Sequence, residues 1–353
     1  MRAVVYHGPE DIRLEEVPEP VTKDPEDAIV RVTTASICGS DLHIVHGLLP
    51  KMEPGRIIGH EFAGVVHEVG SAVKRFKPGS RVVGAAAVWC GRCRACKRGL
   101  FSACERGATF GHGPLLGDLP GTQADYVRVP FSDCTLQATP KGVPDDKIIF
   151  AGDILPTAYS AVTGLTPGGR GAREGDNVVV FGLGPVGLCA VASAKLFKPA
   201  KVIAVGNRAE RLALAEQLGA DATVDAAATE DVRKVVRQLT DGWGADYVVE
   251  AVGKEESLGN SVGVAAPGGV VSVVGAFQKP TSINAPRMQA KNVTVVMGMG
   301  DLGRMPELVK LIESGELDVT PLVTHRMSFD DAIKAYEIFD KRLEGAIKIL
   351  LTT

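Results

Sequence analysis

The sequence predicts an α/β protein in which a β-rich segment bearing a four-cysteine lobe precedes a doubly wound parallel sheet. Three observations carry this. From about residue 176, continuous apolar runs alternate with helical ones. Before that, short Val-rich runs are bounded by Gly and Pro. Four of the chain's seven cysteines fall between Cys90 and Cys104.

The β-rich reading of roughly the first 150 residues rests on runs such as 28–32, 61–69, 81–87 and 124–129. Each is short, rich in β-branched residues and closed by turn formers. Cys90, Cys93, Cys96 and Cys104 interrupt this segment with the spacing Cys-x2-Cys-x2-Cys-x7-Cys. Zinc prefers four soft ligands in a tetrahedron, which thiolates on tight loops supply. Five basic residues interleave with them (Arg92, Arg94, Lys97, Arg98, Arg106), with charge suited to offset a zinc tetrathiolate. A disulfide or redox pair is the competing reading, but no other feature points to an oxidising compartment. A closed four-sulfur site is structural, so chemistry is expected elsewhere.

The later half reads as strand 177–181, helix 185–197, strand 201–205 and helix 209–218. Further strands are expected at 222–224, 247–250, 270–274 and 293–297. Strands apolar on both faces and separated by helices imply a parallel sheet covered on both sides. Gly182, Gly184 and Gly187, with Leu183, Pro185 and Val186 between them, form Gly-x-Gly-x2-Gly at a strand-to-helix junction. That context makes the motif a dinucleotide fingerprint, with pyrophosphate expected at the helix N-terminus. An NAD site carries Asp or Glu at the end of the second strand. Here Gly206 stands there, followed by Asn207 and Arg208. A missing carboxylate with a nearby guanidinium favours NADP(H) over NAD(H), because Arg208 can pair with a 2′-phosphate. The tail closes with a helix over 330–340 and a strand over 346–351 that can return to the first domain. The expected partition is 1–154 with 296–353 as one domain and 155–295 as the nucleotide domain.

Composition limits the function classes. The chain has 353 residues, 45% hydrophobic and 23% charged, an ordinary globular balance. A net charge of −3 gives no electrostatic reason to expect nucleic acid. The charged N-terminal stretch does not read as a signal peptide. The apolar run 178–197 is broken by three glycines and a proline and does not read as a membrane span. An odd number of cysteines fits a reducing, cytoplasmic setting.

Three further segments are ICGSDLH at 37–43, GHE at 59–61 and AGDILPTAYSA at 151–161. Taken singly, His60 reads as a satisfied polar residue, Cys38 as a small buried hydrophobe and Asp153 as a helix N-cap. Together with the cysteine lobe and the glycine motif, in this order along essentially the whole chain, they resemble the zinc-containing medium-chain alcohol dehydrogenases. The resemblance implies a GroES-like catalytic domain first, then a Rossmann domain, then a returning tail. It implies catalytic zinc on Cys38, His60 and Asp153, with Glu61 as a nearby carboxylate, and so two zinc ions per subunit. Three protein ligands leave one open position, where zinc acts as a Lewis acid during hydride transfer to nicotinamide. Ser40 and His43 match the family's proton relay, Asp41 the carboxylate that orients His60, and Lys348 a basic pyrophosphate contact. A secondary alcohol or its carbonyl is the favoured substrate class. Polyol, sugar or formaldehyde dehydrogenases of the same family are the alternative, and a zinc-module binding protein is a non-enzymatic one. His7, His46, His67, His112 and His325 read as surface or packing residues. The strand at 293–297 reads as an apolar sheet edge that invites self-pairing, and the resemblance favours a homotetramer over a dimer.

Overall fold

A computed structural model describes residues 1–353. The chain forms two compact units. The first comprises residues 1–153, 302–315 and 323–353, and the second 154–301 and 316–322. The return to the first unit therefore begins at Leu302, later than the sequence pattern indicates, and residues 316–322 stay with the second. The preceding turn is tied into the second unit, since the Asp301 amide donates to Ser160 Oγ at 3.0 Å.

The first unit is built on a seven-stranded sheet. Its order is Leu136–Ala138, Arg81–Gly84, Glu61–Val69, Ala28–Ser36, Lys348–Thr352 and Val323–Ser328, with Tyr126–Val129 also on Ala28–Ser36. The run expected at 81–87 divides after Gly84. The amides of Ala85 and Ala86 bond instead to the carbonyls of Thr135 and Gly152. Antiparallel register sets Ser36 opposite Glu61, and Leu350 opposite Ser36. Three chain ends thus leave the sheet side by side: residues after Ser36, residues before Glu61, and Lys348. A core including Val30, Phe62, Val82, Phe110 and Leu351 fixes this register, because a slip by one residue would expose the whole apolar face.

The second unit carries a six-stranded parallel sheet. Its order is Ala222–Asp225, Lys201–Gly206, Asn177–Phe181, Ala245–Glu250, Ala265–Val273 and Thr294–Met297. Val178, Val179, Val180, Val202, Ile203 and Ala204 are fully buried, as expected for strands covered on both faces. The strand order reverses direction at Asn177–Phe181. Right-handed crossovers then place helices Pro185–Lys195 and Ala209–Gln217 on one face, and Val232–Leu239, Glu255–Val264 and Ala285–Lys291 on the other. No helix is long and apolar enough to cross a membrane.

Candidate active site

Cys38, His60, Glu61 and Asp153 come together at the strand ends of the first unit. Cys38 caps the short helix Gly39–Val45. Its backbone N–H donates to Asp41 Oδ2 at 2.9 Å, so the helix start fixes the thiol and Asp41 as one piece. Asp153 closes the 3-10 turn Ile149–Gly152, and its carboxylate faces Cys38 and His60. Asp153 Oδ2 lies 3.6 Å from Cys38 Sγ and 3.2 Å from His60 Nε2. Zinc–ligand bonds of about 2.0–2.3 Å set donor separations of roughly 3.3–3.8 Å in a tetrahedron. The three donors therefore fit a single zinc ion.

Electrostatics favour a cation at the same point. Asp41 and Glu61 are fully buried and His60 is 3% exposed, while Cys38 and Asp153 are half-buried. Burial works against an imidazolium at His60, yet the carboxylates of Asp41 and Asp153 outweigh it and raise its pKa well above the ordinary value. Burial also opposes the Asp153 carboxylate, and His60 is the main group that brings its pKa down to about 2. Burial, then the Asp153 charge, pushes the Cys38 thiol up. A bound dication reverses that last effect, since a coordinating thiol is deprotonated outright.

His60 is oriented from behind. Its Nδ1 sits 3.0 Å from Asp41 Oδ1. Gln123 Nε2 donates to the Ser36 carbonyl at 3.1 Å and lies 3.4 Å from Asp41 Oδ2, and Tyr336 donates to Gln123 Oε1 at 2.8 Å. Such outer partners hold a ligand imidazole in one tautomer and one orientation. Ser40 Oγ lies 3.3 Å from His60 Nε2, on the donor side of the site. His43 stands one helical turn further on and is half-buried. Burial, then the charge of His46, lowers its pKa.

Lys348 has a different partner from the expected one. It is fully buried, and its Nζ donates to Glu61 at 2.6 Å and to the Ile37 carbonyl at 3.2 Å. Its ammonium is committed inside the first unit, beneath the donor set, rather than offered to a pyrophosphate. His112 is a buried packing residue, as expected. It stacks edge-on against His60 with ring centroids 5.0 Å apart and bonds the Phe110 carbonyl through Nδ1 at 2.7 Å. It sits between Gly111 and Gly113, both at positive φ. Gln123 and Tyr336 carried no signal in the sequence. His46 is held between Glu10 and Asp340 at the surface.

The four cysteines of the lobe are all free thiols, with Sγ separations of 3.4, 3.6 and 3.9 Å between neighbours. A disulfide requires about 2.05 Å, whereas a zinc tetrathiolate requires roughly 3.8 Å between sulfurs. Amides supply part of the expected charge compensation. The N–H groups of Cys90, Cys96 and Arg106 point at lobe sulfurs at 3.3–3.5 Å. Arg92 is instead paired with Glu26, and Arg106 covers the Phe131 ring.

In the second unit, Gly182 adopts φ 91°, which L side chains rarely take. A Cβ on Gly187 would lie 1.7 Å from the Gly182 carbonyl oxygen, so only glycine lets helix and strand meet there. Nothing lies within 4 Å of a Cβ built on Gly184, and that side of the loop is open. Helix Pro185–Lys195 starts here with Gly184 as N-cap and Pro185 and Val186 opening its first turn. Its first amides are available to an anion. Gly206 ends the second strand, Asn207 is exposed, and Arg208 caps the next helix with Nη1 3.7 Å from Glu210.

Comparison with known proteins agrees with both units. Residues 24–140 match the family described as alcohol dehydrogenase GroES-like domain, and residues 185–314 the family described as zinc-binding dehydrogenase. The chain is 37% identical over 349 residues to zinc-type alcohol dehydrogenase B of Aspergillus flavus, covering 96% of this chain and 79% of that protein. It is 33% identical over 367 residues to an alcohol dehydrogenase of Cupriavidus necator, covering 99% of this chain and 98% of that one. Among solved structures it superposes on alcohol dehydrogenase TADH from Thermus sp. ATN1 with a TM-score of 0.93 and 38% identity, covering 100% and 99% of the two chains. The chain belongs to the zinc-containing medium-chain alcohol dehydrogenase family and is a zinc-dependent oxidoreductase.

Proposed function

We propose that the chain interconverts a secondary alcohol and its ketone with NADP(H), using one zinc ion on Cys38, His60 and Asp153 and a second, structural one on Cys90, Cys93, Cys96 and Cys104. The observation that carries this reading is the donor set, which is spaced for zinc and backed by a fully buried carboxylate, Asp41. When bound there, zinc supplies a Lewis acid that polarises the substrate oxygen. The rest falls to the chain's own residues. Cys38, His60 and Asp153 hold the ion. Asp41 fixes the tautomer of His60. Ser40 Oγ takes the hydroxyl proton during oxidation, and His43 receives it further out. Glu61, neutralised by Lys348, lies beside the donors without adding free negative charge to them. The resemblance associates an aspartate at position 153 with secondary-alcohol and formaldehyde-converting enzymes, so it favours the secondary-alcohol reading over the polyol alternative but not over formaldehyde.

The cofactor reading rests on Gly206, Asn207 and Arg208. No carboxylate stands at 206 to repel a 2′-phosphate, and Arg208 is 38% exposed at the helix start. Arg208→Ala should weaken NADP binding by about 1.5–3 kcal/mol, the worth of a charge-assisted hydrogen bond, and leave NAD binding unchanged. Gly206→Asp should shift preference toward NAD once the Leu183 side chain turns aside, since a Cβ at 206 would lie 2.7 Å from Leu183 Cδ1. A panel of primary and secondary alcohols, polyols and formaldehyde, run with both cofactors, tests the reading. Equal or better kcat/KM with NAD would overturn the cofactor assignment, and faster turnover of polyols would overturn the substrate class.

Assembly is expected through the nucleotide sheet. Thr294–Met297 pairs with a neighbour on one side only, and Met297 is 56% exposed beside that open edge. Pairing with its copy would cover the edge in a dimer, two of which make the favoured tetramer. Light scattering at micromolar concentration should give a tetramer, and a monomer there would contradict the proposal.

A further inference from the structure

The second unit holds a cavity of about 720 Å³ on the sheet face that carries helices Val232–Leu239 and Ala285–Lys291. Four of its lining side chains are cationic: Arg233, Lys234, Arg237 and Arg287. Two are acidic, Asp231 and Asp241. Asp231 is already engaged, because its Oδ1 caps the helix by accepting from the Lys234 amide at 3.0 Å.

The cations are crowded in a way that folding alone does not reward. Arg233 and Arg237 are one helical turn apart on one wall, and Arg287 stands on the other. Like charges at this spacing destabilise a helix. Two of the guanidinium groups are nevertheless held in place. Arg233 Nε donates to Asn260 Oδ1 at 2.8 Å, and Arg287 donates through Nη2 to the Gly263 carbonyl at 3.0 Å. Arg287 Nε is buried with no hydrogen-bond partner. Lys234 and Arg237 form no ion pair. Beside them Lys291 donates to the Ala265 carbonyl at 2.6 Å, and burial, then the charges of Arg237 and Arg287, lowers its pKa. Positioned guanidinium forks with free N–H groups match the oxygens of phosphates. The cavity is far larger than one orthophosphate needs and falls in the usual size range of small-molecule sites.

This is not the coenzyme's place. The glycine loop opens helix Pro185–Lys195, which lies on the other face of the sheet. We propose that the cavity between helices Val232–Leu239 and Ala285–Lys291 binds an oligophosphate, a chain of two or more linked phosphates, at a second site independent of the coenzyme. Arg233 and Arg287 are the fixed arms of that site. Lys234 and Arg237 are the adaptable ones. Trp243, 55% exposed, follows the lining residue Gly242, donates through Nε1 to Asp246 at 2.9 Å, and offers a fluorescent reporter.

The test is calorimetric titration of tripolyphosphate into the full-length zinc-loaded protein, saturated with NADP, at low ionic strength, with tryptophan fluorescence read in parallel. The expected result is one site per chain with a micromolar Kd, undiminished by the coenzyme and weakened by added salt. ATP titrated in the same way separates the two sources of a phosphate chain. Affinity equal to that of tripolyphosphate assigns recognition to the chain itself, and a tighter Kd assigns a nucleotide. Lys234→Gln/Arg237→Gln should weaken binding by about 10²-fold or more, as loss of two charge-assisted hydrogen bonds implies, and leave the NADP Kd unchanged. Neither side chain holds an ion pair, so the variant should fold, and Lys234→Gln alone, at an exposed position, provides a milder second variant with a smaller loss. Absence of binding below millimolar concentrations, loss of the signal on NADP saturation, or wild-type affinity in the double variant would overturn the proposal.

Discussion

Replacing Cys38 by serine is expected to remove one zinc ion per chain and to lower kcat/KM by on the order of 10³-fold or more, while the fold survives. The thiol stands 3.6 Å from Asp153 Oδ2, within the donor set. A serine hydroxyl is close to it in size but is a hard, protonated donor that zinc does not select. The backbone N–H of residue 38 keeps its bond to Asp41, so the helix start is preserved. What disappears is the Lewis acid, worth several kcal/mol in the transition state, and each 1.36 kcal/mol corresponds to about tenfold in rate. The four-cysteine lobe is untouched and should retain its own zinc. Elemental analysis, a thermal melt and steady-state kinetics on one preparation check all three parts. A variant that keeps its full zinc content, or that works within about tenfold of wild type, would remove Cys38 from the metal site.

Ser40→Ala should be nearly as severe, cutting kcat/KM by about 10²–10⁴, the usual contribution of a positioned proton-transfer group. Zinc content and coenzyme affinity should not change. The Ser40 hydroxyl lies 3.3 Å from His60 Nε2, beside the donor set, where a substrate hydroxyl would release its proton. His43→Gln should do less, because water can replace an imidazole near the surface. The sign of its pH dependence follows from its surroundings. Burial and the charge of His46 lower the His43 pKa, so the proton-accepting neutral form persists to lower pH than in a free imidazole. Alcohol oxidation needs a base most as hydroxide becomes scarce. The deficit of His43→Gln should therefore widen as pH falls below about 7, until the wild-type imidazole itself becomes protonated. Rate profiles of both variants across pH test this. Activity of Ser40→Ala within about threefold of wild type would take the hydroxyl out of the mechanism.

The parallel sheet was legible because its signal is local. Strand Asn177–Phe181 is apolar on both faces and ends on glycine, and its observed bounds match the pattern. The break after Gly84 was not legible, because it depends on carbonyls of Thr135 and Gly152 contributed by distant turns. The donor set is similar in kind. Asp153 lies 93 residues from His60 and 115 from Cys38 along the chain, and no periodicity links them. Only the resemblance of three short segments to a known family pointed to all of them at once. Where that resemblance was thin, the expectation missed. Lys348 begins an apolar strand, and whether its ammonium reaches solvent or a buried carboxylate depends on Glu61, 287 residues away. Tyr336 and Gln123, 213 residues apart, support His60 through a contact that only the returning tail creates. The packing expected of His112 is against His60, a partner that a single histidine between glycines does not reveal in the sequence.

The central claim is that this chain holds two zinc ions with different surroundings, one closed in thiolates and one held by Cys38, His60 and Asp153. Anomalous diffraction from crystals of the purified protein, recorded on either side of the zinc absorption edge, tests it most directly. The account predicts two zinc peaks per chain, one centred among Cys90, Cys93, Cys96 and Cys104 and one among Cys38, His60 and Asp153. A fully active preparation with a zinc peak only in the four-cysteine lobe, or with the second peak on other residues, would contradict it.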